Sequence, residues 1–308
     1  MENDDEGCVI VAGGREVALS HPDKVLFPAD GITKRDLGDY YARIAEVALP
    51  HYRGRPLSME RYPDGIGEDG FFQKHTPDHF PGWIARAELE KEDGTVTHVL
   101  IEEAATLVYL ANQGMITPHL GLSRVDRIDR PDRLVFDLDP SDGDFAKVQD
   151  AARWLRGMLE EMDAAPFVQT TGSRGLHVVV PLDRAEDFDT VREAARRMCE
   201  VLAARHPETL TNAQRKKDRG GRVYLDIARN AYGQTSVAPY GVRARAHAPI
   251  ATPLDWDEAL SPDMTPQKYT IANIFRRLGA KDDPWAGIAD AATGASALVR
   301  RAGELSPP

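Results

Sequence analysis

The most informative stretch of the chain is LVFDLDP, residues 134–140. Alternate residues of a β-strand project to opposite faces, so the apolar residues of this stretch share one face while Asp137 and Asp139 project from the other. Side chains two residues apart lie about 6.5–7 Å apart along a strand, which lets two carboxylates converge on divalent cations. A chance pair that caps the next helix is the alternative, but Asp142 and Asp144 are available for that purpose.

A third acid, Asp226, occurs in a stretch of the same character, RVYLDIA at residues 222–228. Three clustered carboxylates raise one another's pKa, and hard cations with oxygen ligands remove that conflict. Two metals held by shared carboxylates suit in-line phosphoryl or nucleotidyl transfer. Residues 211–247 contain eight Lys and Arg residues but only two acids, Asp218 and Asp226. Such a basic segment beside a carboxylate site favours a polyphosphate or nucleic-acid ligand over a solvated face.

The composition sets the class of protein. A chain of 308 residues buries roughly three quarters of its unfolded surface, and two lobes sharing a cleft are expected at this length. The net charge of −11 argues against nonspecific coating of nucleic acid, but not against a local basic surface. No apolar run approaches the roughly 20 residues of a membrane span. Two cysteines and an acidic N-terminus without a signal-peptide pattern predict a reducing, cytoplasmic setting.

Residue patterns predict an α+β protein with mixed β-sheets and flanking helices that form a cleft. A capping box at residues 33–36 begins a helix, and Asp93-Gly94 is typical of a hairpin tip. We expect further helices near residues 102–112, 145–162 and 188–205, and strands at 167–170 and 176–180. The predicted organisation is an acidic N-terminal segment, residues 1–20, a catalytic domain, residues 21–283, and a partly ordered C-terminal tail, residues 284–308.

Two further patterns have both functional and ordinary interpretations. The turn at residues 171–175 and His177 bring a hydroxyl, a guanidinium and an imidazole together, and its amides could cradle a phosphate. For this motif taken alone, a plain hairpin turn with two glycines at positive φ is the favoured interpretation. Arg243 and Arg245 would share one face if extended, and forked guanidinium groups match phosphate oxygens. Phe71 and Phe72 suit either base stacking or a strand buried on both faces.

Taken together, several segments resemble the polymerase domain of bacterial DNA ligase D, in the archaeo-eukaryotic primase superfamily with its primase-polymerase fold. The similarity covers residues 21–283 and keeps the order of the motifs. The segments that carry it are HPDKVLFP at 21–28, TK at 33–34, FFQK at 71–74, ATLVYLAN at 105–112, DRLVFDLDP at 132–140, TGSRGLH at 171–177 and APYGVR at 238–243.

The resemblance implies a template-dependent polymerase of DNA repair and non-homologous end joining. It would add ribonucleotides in preference to deoxyribonucleotides, with Mn²⁺ or Mg²⁺, in short gaps or at double-strand breaks bearing a 5′-phosphate. Its implied partners are DNA, ribonucleoside and deoxyribonucleoside triphosphates, a DNA ligase and the end-binding protein Ku, in the cytoplasm near the nucleoid. A free-standing relative and a domain of a larger ligase are both compatible with it.

The resemblance also assigns roles to residues. Asp137, Asp139 and Asp226 would hold the metals, and Arg219 would favour the metal-competent form of the site. Contacts to the nucleotide would come from Ser173 and His177, and contacts to its triphosphate from Lys74, Arg243 and Arg245. Lys24 and Lys34 would bind the 5′-phosphate across a gap, and Phe71 and Phe72 would stack on the template.

One position departs from the family pattern, since Arg229 stands where relatives often have glutamine. Two other functions compete with the polymerase. The strand with Asp137 and Asp139 also resembles that of haloacid-dehalogenase-type phosphohydrolases, although Ser141 stands where that family has Thr or Val. A non-catalytic module that binds DNA ends is the second alternative, and the full set of three acids argues against it.

Overall fold

The computed structural model describes residues 8–91 and 94–306. The chain forms two compact units. The first comprises Met1–Gly121, Val237–Ile250 and Thr270–Ile274, and the second comprises Leu122–Ser236, Ala251–Tyr269 and Phe275–Pro308. In the described part of the chain, no helix combines the length and apolarity that a membrane crossing requires.

The described residues of the first unit form two helices and several small sheets. Its elements are β1 (Cys8–Ala12), β2 (Arg15–Leu19), β3 (Val25–Phe27), β4 (Ile32–Thr33), α1 (Lys34–Tyr52), β5 (Leu57–Arg61), β6 (Phe71–Gln73), β7 (Arg86–Lys91), β8 (Gly94–Val99), α2 (Ala104–Asn112) and β9 (Met115–Gly121). The predicted capping box begins α1, because Thr33 Oγ1 accepts from the Asp36 N–H at 3.2 Å and Asp36 Oδ2 accepts from the Thr33 N–H at 2.8 Å. The predicted hairpin β7–β8 is present, and Asp93 lies outside the described residues.

The second unit is built on one six-stranded mixed sheet. Its elements are β10 (Arg133–Asp139), α3 (Phe145–Glu161), β11 (Phe167–Thr170), β12 (Leu176–Pro181), α4 (Phe188–Arg205), β13 (Leu210–Thr211), β14 (Val223–Asp226), β16 (Pro253–Leu254), α5 (Trp256–Ala259) and α7 (Ala295–Glu304). Strand β15 (Thr235–Val237) and helix α6 (Ile274–Leu278) lie where the chain passes from one unit to the other. The strand order is β13-β14-β10-β12-β11-β16, and only β13 and β14 are parallel.

The core of the second unit lies on the apolar face of β10. Leu134, Phe136 and Leu138 are buried there, together with apolar residues of α3 and α4. Both helices therefore cover the face opposite Asp137 and Asp139, as the alternation of the strand predicts. The structure therefore has the α+β fold class that the sequence predicts, and the acids project from the other face of the sheet.

Both predicted end segments differ from the structure. The hairpin β1–β2 buries Ile10 and Val17 and belongs to the first unit, so residues 8–20 are not a separate segment. Trp285 is only 1% exposed and donates its indole N–H to the Val168 carbonyl at 3.1 Å. Leu298 of α7 is buried in the core on the apolar face of β10, and Trp285 packs in a separate cluster with Val135 and Val179. The chain beyond Asp283 is therefore part of the second unit. Because the segment is rich in Ala and Gly, its composition does not indicate that Trp285 and Leu298 are buried.

Candidate active site

A row of polar side chains crosses four strands of the second unit. Asp137 on β10 stands directly opposite Asp226 on β14 and opposite His177 on β12, and His177 stands opposite Gln169 on β11. Residues directly opposed in antiparallel strands project from the same face. The structure therefore brings two of the three predicted metal ligands and one predicted nucleotide ligand together on one face.

Several contacts fix the imidazole of this row. His177 Nε2 lies 3.5 Å from Asp137 Oδ1, and His177 Nδ1 lies 3.3 Å from Gln169 Nε2 and 3.4 Å from Ser236 Oγ. His177 is 4% exposed, so its ring is held between neighbours rather than free to rotate into solvent. Sequence patterns did not indicate Gln169 or Ser236, since both become neighbours of His177 only in the folded chain.

Asp139 lies two residues after Asp137 on β10 and therefore projects from the same face. It stands opposite Tyr224, and its Oδ2 lies 3.6 Å from Arg174 Nη2. Burial, and next the charge of Asp137, raise the pKa of Asp139, whereas the nearby Arg174 opposes that rise. A bound cation, like Arg174, would stabilise the ionised carboxylate of Asp139.

The turn between β11 and β12 lies directly against β10. Thr171 Oγ1 accepts from the backbone N–H groups of Ser173 and Gly175, each at 3.2 Å, and Gly172 has φ of +63°. Gly175 has no positive φ, but a Cβ there would lie 2.0 Å from the Leu138 carbonyl oxygen. The plain-turn interpretation therefore explains only the first glycine, and the second allows the turn to approach the acidic strand.

The side chain of Asn230 replaces a missing stretch of strand. The ladder between β10 and β14 covers only the positions from Asp137 to Asp139. Beyond it, Asn230 Oδ1 accepts from the Val135 N–H at 2.8 Å, and Asn230 Nδ2 donates to the Val135 carbonyl at 2.6 Å. The buried amide thus satisfies the backbone of β10 two residues before Asp137. The sequence analysis missed Asn230. It singled out only the neighbouring Arg229, which is exposed.

Arg219 contacts the loop before β14 rather than the acids. Its Nε donates to the Ala213 carbonyl at 3.1 Å and its Nη2 to the Gln214 carbonyl at 2.8 Å. Its guanidinium carbon lies 4.0 Å from the ring centroid of Tyr224. Because Tyr224 stands opposite Asp139, Arg219 reaches the acidic face only through that ring.

The two predicted phosphate-binding lysines lie close together in the first unit, but in different environments. Lys34 donates its backbone N–H to the Lys24 carbonyl, and Lys24 Nζ lies 2.6 Å from Asp64 Oδ1. Lys34 is 6% exposed, and its Nζ donates to the Ser20 carbonyl at 2.7 Å. Burial, and next the charge of Lys24, lower the pKa of Lys34. Lys24 is therefore the more accessible cation of the pair.

Phe71 and Phe72 are both exposed, at 46% and 61%, which excludes the strand buried on both faces. The Arg61 guanidinium lies 5.3 Å from the centroid of Phe71, and the ring of Phe72 meets that of His119 edge-on at 5.2 Å. Exposed rings on a strand are a surface on which bases can stack. Lys74, which follows this strand, is also exposed.

Arg243 and Arg245 lie in a turn, not in an extended segment. The Arg245 N–H donates to the Arg243 carbonyl at 2.8 Å, so the predicted sharing of one strand face does not hold. Both charges lower the pKa of Tyr62, against the larger raising effects of its burial and of Glu60. The turn is tied to the loop after β3, because Asp30 accepts from the backbone N–H of His247 at 2.8 Å.

A partly buried carboxylate of the first unit was also missed by the sequence analysis. Glu60 Oε2 lies 3.4 Å from His119 Nε2, and Glu60 Oε1 accepts from the Tyr62 hydroxyl at 3.2 Å. Burial raises the pKa of Glu60, but His119 and the charge of Arg243 outweigh it and lower the value to about 2. Glu60 therefore stays ionised, and its charge attracts that of Arg243.

The donor set of the second unit fits hard divalent cations. Three carboxylates on one sheet face are the oxygen ligands that Mg²⁺ and Mn²⁺ prefer. Within residues 8–91 and 94–306, no three His, Cys, Asp or Glu side chains already form a metal-binding cluster. Asp226 Oδ1 accepts from the Ala228 N–H at 2.7 Å, and Asp139 faces Arg174. Each carboxylate has two oxygens with several acceptor sites, so these contacts leave room for a cation, and at Asp139 Oδ2 the cation would meet Arg174.

Comparison with known proteins identifies the family. The family model described as LigD, primase-polymerase domain, matches residues 33–285. The multifunctional non-homologous end joining protein LigD of Mycolicibacterium smegmatis is 36% identical over 251 residues, which are 80% of this chain and 33% of that protein. The protein of the same name from Pseudomonas aeruginosa is 33% identical over 289 residues, which are 92% of this chain and 34% of that protein.

The polymerase domain of Mycobacterium tuberculosis ligase D, solved in complex with DNA, superposes with a TM-score of 0.84 at 32% identity. The match covers 90% of this chain and 99% of that chain. These findings confirm the resemblance, the fold class and the enzyme class inferred from the sequence, and they exclude the haloacid-dehalogenase-type interpretation. This chain spans about a third of the length of the LigD proteins of Mycolicibacterium and Pseudomonas. It belongs to the LigD primase-polymerase domain family, whose members are metal-dependent nucleotidyltransferases.

Proposed function

We propose that the chain adds nucleotides, with a preference for ribonucleotides, to a primer end paired with a template in short DNA gaps or at double-strand breaks. The observation that carries this proposal is the acidic face of β10 and β14, where Asp137 and Asp226 stand opposite each other and Asp139 follows. Such a face suits cations that neutralise a triphosphate during in-line transfer. The family match supports the same reaction.

In this proposal Asp137, Asp139 and Asp226 hold two Mn²⁺ or Mg²⁺ ions. When bound, these ions would activate the primer hydroxyl and neutralise charge on the triphosphate. His177 is held beside Asp137 by its buried neighbours and orients the nucleotide together with Ser173. Arg219 holds the loop before β14 through the Ala213 and Gln214 carbonyls, contacts the ring of Tyr224 and so favours the metal-competent form of the site.

The remaining residues that the resemblance assigns provide the proposed nucleic-acid and triphosphate contacts. Phe71 and Phe72 offer exposed rings for the template. Lys74, Arg243 and Arg245 supply positive charge for the triphosphate, because guanidinium and ammonium groups pair with phosphate oxygens. Lys24, with Lys34 behind it, binds the 5′-phosphate across the gap, and a DNA ligase and Ku are the proposed cellular partners.

Extension of a labelled primer on a duplex with a one-nucleotide gap tests this function. We expect addition of the nucleotide complementary to the template base, a higher kcat/KM for the ribonucleotide than for its deoxy form, and complete loss with EDTA. Binding of the gapped duplex without any nucleotide addition, in either Mn²⁺ or Mg²⁺, would instead support the non-catalytic end-binding module.

Recognition of the 5′-phosphate has a separate test in DNA affinity. Lys24→Ala should reduce the preference for a phosphorylated gap and flatten the salt dependence of log K by about one unit of slope, because one charge contact is lost. Lys281→Ala, on the surface of the second unit, is the matched control and should leave both quantities unchanged. A wild-type protein with no preference for the 5′-phosphate would contradict this role even if the polymerase activity holds.

A further inference from the structure

Arg174 places a positive side chain beside the acidic face of β10. Its Nη2 lies 3.6 Å from Asp139 Oδ2, and the two side chains are 46% and 31% exposed. The arginine follows Ser173 in the turn that Gly175 allows to lie against the Leu138 carbonyl. The turn thus delivers a guanidinium to a carboxylate that the proposed function assigns to the metals.

We propose that Arg174 is the resident counter-cation of Asp139 and competes with the divalent cation for that carboxylate. The inference rests on the proposed function, because it assumes that Asp139 is a metal ligand. In the metal-free protein the guanidinium partly neutralises Asp139, and cation binding displaces it. Arg174 is then a positioning residue that sets how tightly the site holds its cation before substrate arrives.

The geometry allows this exchange without movement of the backbone. Gln267 Nε2 donates to the Ser173 carbonyl at 2.8 Å, and Thr171 Oγ1 accepts from two N–H groups of the turn. The backbone of the turn is therefore fixed on both sides. The Arg174 side chain is nearly half exposed and can rotate into solvent. A divalent ion has twice the charge of the guanidinium. At a comparable distance it therefore attracts the carboxylate more strongly and displaces the arginine.

Removal of Arg174 should therefore strengthen cation binding in the absence of nucleotide. A partly exposed ion pair is weak, so we expect Arg174→Gln to lower the Kd for Mn²⁺ about fivefold, which corresponds to about 1 kcal/mol. Arg174→Lys retains the charge and should bind Mn²⁺ nearly as the wild type does. The same loss of the counter-cation should lower the Tm of Arg174→Gln in EDTA.

Titration of free Mn²⁺ by electron paramagnetic resonance, at low ionic strength and without nucleotide, measures these affinities directly. Arg153→Gln is the control for net charge, since Arg153 pairs with Asp150 on the surface of α3. It should leave the Kd unchanged. In an Asp139→Asn background, Arg174→Gln should have no further effect, because the arginine acts through that carboxylate.

The outcomes separate this inference from the proposed function. If the wild type binds Mn²⁺ but Arg174→Gln binds it equally well or more weakly, the counter-cation role is wrong while the metal site stands. An equal gain from Arg153→Gln would also overturn the role, since the gain would then come from net charge. If the wild type does not bind Mn²⁺ at all, the metal site and this inference both fail.

Discussion

The substitution Gly175→Ala tests how closely the turn after β11 must approach the acidic strand. The added Cβ would lie 2.0 Å from the Leu138 carbonyl oxygen, whereas close carbon–oxygen contacts in proteins are about 3.3–3.6 Å. The atom that it meets belongs to the backbone, so no side-chain rotation relieves the overlap. The turn and β10 must separate by more than about 1 Å.

That separation should affect both stability and activity. Overpacking of this kind costs about 1–3 kcal/mol, which should appear as a lower urea midpoint of unfolding. The turn leads directly into Leu176 and His177, so the separation also increases the 3.5 Å distance between His177 and Asp137. A misplacement of about 1 Å can reduce the rate by about 100-fold, and single-turnover primer extension measures that loss.

Gly157→Ala is the matched control for this experiment. Gly157 lies in α3, and a Cβ there would meet no atom within 4 Å. It should stabilise the protein by about 0.5–1 kcal/mol, because alanine is the better helix former, and leave the rate unchanged. A Gly175→Ala protein with the wild-type midpoint and rate would refute the reasoning about this close approach.

Two other substitutions have defined consequences for stability. Glu60→Gln should lower the urea midpoint at pH 7. The pKa of Glu60 falls from 4.5 to about 2 on folding, which corresponds to about 3 kcal/mol of stability. This contribution is present above pH 4.5 and is lost as the pH falls toward 2. The difference between wild type and variant should therefore shrink over that range, and a constant difference would contradict the assignment. Asn230→Ala should cost about 2–4 kcal/mol in the same assay, since it leaves the N–H and the carbonyl of Val135 without their partners. Its control, Arg229→Ala at an exposed position, should change stability by less than about 0.5 kcal/mol.

Local patterns predicted the elements of the fold well. The reciprocal bonds of Thr33 and Asp36 depend on residues three positions apart, so the start of α1 could be inferred from the sequence. The alternation of β10 correctly separated the buried residues from the acids. The helix of residues 188–205 agrees with α4 in both bounds.

Contacts between distant residues could not be predicted in the same way. The register that places Asp226 and His177 on either side of Asp137 is a property of strand pairing, which a period of two does not determine. The same limit hid Asn230, which pairs with Val135 across 95 positions. The burial of Lys34 depends on its contact with Ser20, which the capping motif does not predict.

The central claim is that one acidic sheet face performs nucleotide transfer, and a single-turnover measurement tests it most directly. The rate of first ribonucleotide addition to a gapped duplex should be compared between the wild type and Asp137→Asn, Asp139→Asn and Asp226→Asn. Each variant should retain the wild-type urea midpoint or exceed it, because a like charge has been removed from the face. The predicted result is the loss of nucleotide addition in all three folded variants. Addition at the wild-type rate by any one of them would contradict the account.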